Sequence, residues 1–136
     1  MKKNLMALLM IAGTSLVAVP ALAGIVVVVN PKNSAAHMTP DQVAQYFLGK
    51  STSLTPVDQP ESSAIRAEFY KKVADKDPGQ VKSIWSKLVF TGKGTLPREL
   101  GSDADVKKAV AADANGIGYI DKSAVDSSVK VVADLP

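Results

Sequence analysis

Ile25-Val26-Val27-Val28-Val29-Asn30-Pro31 is the stretch on which the fold turns. Its five apolar residues are all β-branched, a shape that suits the pleated surface of a strand better than a helix. No polar residue interrupts them, so neither face is left for water. That is the mark of a central or parallel strand with both faces covered. Asn30-Pro31 ends the run, since proline cannot donate to a sheet ladder.

Downstream the period changes to that of a helix. Thr39-Pro40-Asp41-Gln42 is a start signal: Thr39 as N-cap, Pro40 at the first helical position, Gln42 closing a capping box. Val43, Tyr46 and Phe47 supply the apolar face, and Gly49 the stop. Leu54 to Val57 reads as a short strand and Asp58 to Ser63 as a polar turn. A second helix follows over about Ala64 to Ala74, with Ile65, Phe69 and Val73 inward. Asp77-Pro78-Gly79-Gln80 repeats the first start signal. It opens a third helix to about Leu88, with Val81, Ile84, Trp85 and Leu88 as its stripe. Phe90 to Leu100 reads as loop. Ser102-Asp103-Ala104-Asp105 opens a fourth helix through a capping box, with Val106, Ala109 and Val110 inward. Asn115-Gly116 turns into a strand over Ile117 to Ile120, and Val129 to Val132 is the last strand. The expected fold is a single compact α/β domain, a mixed sheet flanked by helices.

The residues before Ile25 belong to a different class. Lys2 and Lys3 precede an apolar run from Leu5 to Val19, then Pro20 and the small-x-small Ala21-Leu22-Ala23. This is the layout of a cleaved secretory leader, and the run is shorter than the roughly 20 residues that span a bilayer. The expected division is a signal peptide over 1–23 and a mature domain over 24–136, exported to the periplasm with no membrane anchor. The whole chain has 136 residues and a formal net charge of +3 from 16 basic and 13 acidic residues. Without Lys2 and Lys3 the balance is 14 against 13. A basic protein of pI about 9.1 thus becomes a near-neutral one, and nucleic acid drops out as a partner.

Composition removes several chemistries. The chain has no Cys and one His, His37. Disulfides, thiol nucleophiles, Cys-ligated metals and multi-His zinc sites are therefore excluded. No nucleophile elbow, phosphate-binding P-loop, zinc-protease or dinucleotide motif occurs. Asp103 with Asp105 is better explained by the macrodipole of a helix first turn than by acid–base work. The expectation is a protein that is not an enzyme, with no catalytic residue, metal or cofactor.

One constellation carries binding chemistry. Glu61-Ser62-Ser63 lies directly before the second helix, where hydroxyls and the first unpaired N–H groups converge on a ready anion site. Arg66 falls one turn on, on the same face. Gln59 and Glu61 flank the turn, and Thr91, Lys93 and Thr95 lie in a glycine-rich loop expected to fold over it. The competing explanation is a plain serine N-cap and a solvated arginine.

Four segments together resemble the phosphate ABC-transporter substrate-binding proteins, which have a type II periplasmic-binding fold. They are Met38 to Lys50, ending in Phe47-Leu48-Gly49-Lys50; Val57 to Phe69; Trp85 with Phe90-Thr91-Gly92; and Asn115-Gly116-Ile117-Gly118-Tyr119-Ile120. The resemblance implies one lobe of a two-lobed binder and phosphate, or a similar small oxyanion, as ligand. It also implies an ABC-transporter permease as a partner. In the family an arginine and an Asp-Gly-Ser-Gly-Thr segment grip phosphate. Here Gln59 stands at the arginine, Glu61 at the aspartate, Ser63 matches the serine, and Ala64 and Ile65 replace glycine and threonine. Those departures, with the single lobe, leave self-association or a ligand-free protein–protein module as the alternative.

Overall fold

The computed structural model describes residues 23–136, so all of the expected leader but its last residue, Ala23, lies outside the described residues. The elements run β1 (Ile25–Val29), α1 (Pro40–Phe47), β2 (Thr55–Asp58), α2 (Ala64–Ala74), α3 (Pro78–Phe90), β3 (Arg98–Glu99), α4 (Asp103–Ala112), β4 (Gly116–Asp121) and β5 (Lys130–Leu135). They form one domain around a mixed five-stranded sheet in the order β3-β2-β4-β1-β5.

All five β1 residues are buried, as an apolar run requires. Val26 and Val28 join a cluster with Val106 and Val110 of α4. Ile25, Val27 and Val29 join a larger cluster with side chains of α1, α2 and α3. The absence of alternation thus records a layer of helix on each face. The strand is interior but not parallel. It pairs antiparallel with both β4 and β5, and only β2 makes parallel ladders, with β4 and β3. Burial on both faces is what the apolar run encodes, and it does not fix direction.

The capping signals hold where the local chemistry is complete. Thr39 with Gln42 and Asp77 with Gln80 each form both halves of a capping box. At α4 the forward half is present, Ser102 Oγ accepting from Asp105 N at 3.2 Å. Gly49 ends the α1 region at a φ of 75°, where a side chain would be strained. The segment expected as loop from Phe90 is helical at Phe90 and contains β3, two exposed residues held beside β2.

Gly118 shows how closely α4 approaches the sheet. A Cβ there would sit 2.6 Å from Val106 Cγ1 and 3.1 Å from Val57 Cγ2. Gly118→Ala therefore overpacks this layer and is expected to cost about 1–3 kcal/mol in urea unfolding. A change below about 0.5 kcal/mol, within the range of ordinary surface substitutions, would show that the α4 layer yields freely.

Candidate functional site

β2 and β4 run parallel, and their C-terminal ends lie beside the start of α2. Asp58, the last residue of β2, is 2% exposed. Its carboxylate is fully engaged. Tyr70 Oη donates to Oδ2 at 2.6 Å, Gln59 N donates to Oδ1 at 2.8 Å, and Tyr119 Oη donates to Oδ1 in a short hydrogen bond. Tyr119 lies flat on Phe69, ring centroids 3.9 Å apart, which fixes its phenol. Gln59 is likewise buried. Its Nε2 donates to Asp103 Oδ1 at 2.9 Å and to Tyr119 O at 3.0 Å.

Arg66 is the charge partner of this network. It is 7% exposed, so it is a buried arginine rather than a solvated one. Nη1 donates to Gln59 O at 3.1 Å and to Glu99 Oε1 at 2.9 Å, and Nε lies 3.9 Å from Asp58 Oδ2. Its guanidinium stands over the Tyr70 ring, 5.7 Å from the centroid. Burial alone would lower the Arg66 pKa. Asp58 first, then Glu99, outweigh it, and the group is held above its ordinary value. Burial, then the Asp58 charge, pushes both the Tyr70 and Tyr119 phenols far above the usual tyrosine range.

The sequence candidates divide into three sets. Gln59, Ser63 and Arg66 come together at the start of α2, with Arg66 bonded to Gln59 O. Ser63 is the N-cap residue by backbone geometry, yet its side chain makes no cap hydrogen bond. Ser63 Oγ is buried without a partner, and so is Arg66 Nε. Ser62 and Glu61 are exposed on the preceding turn. Thr91 ends α3, its hydroxyl donating to Lys87 O at 2.9 Å. Lys93 and Thr95 line a separate cleft of about 760 Å³ that shares no residue with the α2 start. Sequence reasoning missed Asp58, Tyr70, Glu99 and Tyr119. Tyr70, one turn beyond Arg66 and beside Phe69, was the available signal. Among the described residues no group of three His, Asp or Glu side chains is arranged to hold a metal. No helix among them is long and apolar enough to cross a membrane.

The fold has clear counterparts. An ABC-type phosphate transport receptor from Vibrio cholerae superposes with a TM-score of 0.63 at 21% identity, over 83% of this chain and 48% of its own. The chain resembles one lobe of such receptors. A Clostridium perfringens protein, described as a phosphate ABC transporter substrate-binding protein and solved with phosphate bound, gives a TM-score of 0.62 at 25% identity, over 80% of this chain and 44% of its own. PstS from Borrelia burgdorferi gives 0.54 at 12% identity, over 81% and 46%. The chain thus spans less than half the length of each of these three proteins. These neighbours are transport receptors or binding proteins, and the receptor-lobe fold is that of a single domain with a mixed sheet and four helices. No protein-family model and no curated protein sequence matches the chain.

The raised phenols set a pH limit on this lobe. A folded-state pKa above the unfolded value means that stability is complete below the unfolded pKa, about 10, and declines as pH rises past it. Urea unfolding is expected to give a constant free energy between about pH 8 and 9 and a falling one above about pH 10. Phenolate absorbance from two of the three tyrosines should appear only with unfolding. Titration of all three within the folded state would contradict the buried carboxylate network.

Proposed function

We propose that the chain is an exported binding module, not an enzyme, that takes phosphate or a similar small oxyanion at the start of α2. On this proposal it serves phosphate uptake beside an ABC-transporter permease. The observation that carries it is Ser63: a hydroxyl at a helix N-terminus, buried, and making neither a cap nor any other hydrogen bond. A buried unsatisfied polar group is costly, and sites that recruit a ligand are where such groups persist. The first N–H groups of α2 add oriented donors, Arg66 one turn on adds charge, and the receptor-lobe likeness supplies the ligand class. Export rests on the leader sequence from Lys2 to Ala23.

The site differs from an open anion cradle in one respect. Arg66 already faces two carboxylates, the buried Asp58 and Glu99, whose side chain is 54% exposed. Glu99 therefore competes with an incoming anion, and binding is expected to be weak. Thermal denaturation with tens of millimolar phosphate, against sulfate and chloride at equal ionic strength, tests the proposal. Phosphate at about 100 times its Kd stabilises by about 2.7 kcal/mol, a rise of several degrees in Tm. Ser63→Ala should weaken binding about tenfold or more, the cost of one hydrogen bond to a charged group. Glu99→Gln should tighten it about tenfold by removing a like charge. No phosphate-specific shift in either the native protein or Glu99→Gln would overturn the proposal.

A second reading is favoured by the same Arg66–Glu99 pair. A guanidinium closed by its own chain is what remains when a binding fold loses its ligand and keeps a protein partner. A concentration-dependent dimer in sedimentation, with no phosphate response in either variant, would select that reading.

A further inference from the structure

The Gly92-Lys93-Gly94 loop lies in the separate cleft and has no part in the site at α2. The cleft, about 760 Å³, opens at the edge of the sheet. There β3 pairs only with Val57 and Asp58 of β2, and Thr55 and Pro56, which pair with β4 on their other side, line the opening. Its volume falls within the range of small-molecule sites.

The walls are preformed. Trp85 is 5% exposed, and its Nε1 donates to Phe47 O at 2.9 Å. Two glycines close on its indole from different loops. A Cβ at Gly49 would lie 3.1 Å from Trp85 Cη2 and 2.7 Å from Leu88 Cδ1, and one at Gly94 would lie 3.2 Å from Trp85 Cζ3. The loop carrying Lys93 is thus seated against the tryptophan, and a larger side chain at Gly94 would push it away. Leu54 contributes apolar lining, and Leu96 stands 60% exposed at the same cleft.

The charge in the lining is unbalanced. Lys93 and Arg98 both line the cleft, and neither is neutralised by an ion pair with a carboxylate among the described residues. The one carboxylate in the lining, Asp113, accepts from Asn115 N at 2.9 Å at the end of α4. An apolar cleft with two unpaired cations matches a ligand with an apolar body and an anionic head, since apolar contact supplies area and the cations fix orientation.

We propose that this cleft is a second binding site, for a small amphipathic organic anion with an apolar body and a carboxylate or sulfonate group, held by Lys93 and Arg98 against Leu54 and Leu96. The site is independent of the one at α2.

The chain has a single tryptophan, so Trp85 reports on the cleft directly. Anilinonaphthalene sulfonate is the probe. Native protein should bind it saturably, one per chain, with Trp85 emission quenched by transfer to the bound dye. The double variant Lys93→Gln/Arg98→Gln should weaken binding about tenfold, two charge-assisted contacts being lost. Leu96→Glu, which sets an anion at the mouth, should weaken it comparably. All three positions are exposed, and a retained near-ultraviolet circular dichroism spectrum would certify the fold. Binding that does not saturate, or that is unchanged in both variants, would overturn the proposal. So would displacement of the dye by phosphate beyond the effect of sulfate at equal ionic strength, because the two anions would then share one site.

Discussion

The buried carboxylate of Asp58 is the interaction on which the packing at the start of α2 depends. An isolated carboxylate in such a place would be severely penalised, and it is tolerated only because three donors and a guanidinium surround it. Each donor comes from a different part of the chain: Gln59 from the end of β2, Tyr70 from α2, Tyr119 from β4. Satisfying one charge therefore fixes the position of a helix relative to two strands. Arg66 then ties β3 to the same point through Glu99. Removing any one donor leaves the others facing an uncompensated charge, so these contacts act together rather than as a sum.

The same network accounts for the burial of Gln59. Gln59 turns its amide inward to Asp103 and to the Tyr119 carbonyl, so its side chain is engaged in holding β2 to α4 and β4. What remains facing the start of α2 is Ser63 and the helix N-terminus itself.

Local chemistry made much of the fold legible. Helix starts were readable because a cap, a proline and a glutamine lie within four residues, and both complete boxes form as their spacing requires. The interior position of β1 was readable because burial on two faces leaves a continuous apolar run. Its antiparallel direction was not, since direction is set by partners nearly a full chain length away. At the site, Ser63 and Arg66 were visible from helix spacing. The burial of Arg66 was not, because its two carboxylates come from β2 and β3 and no window of sequence contains all three. Lys93 was visible as a loop cation, but its distance from α2 depends on how Gly94 rests against Trp85.

The pairing of β1 has a consequence for how the chain comes to be folded. Ile25 lies beside Leu135, and Val29 beside Lys130, so the first strand of the sheet waits for the last. Its other neighbour, β4, is also late in the sequence. A chain still emerging from the ribosome can form its helices but cannot close its sheet, and contacts of such sequence separation make closure slow. Until Lys130 to Leu135 are free, the most apolar segment of the domain stays unpaired along one edge. The sheet is therefore closed by a strand that lies more than a hundred residues from its partner along the chain.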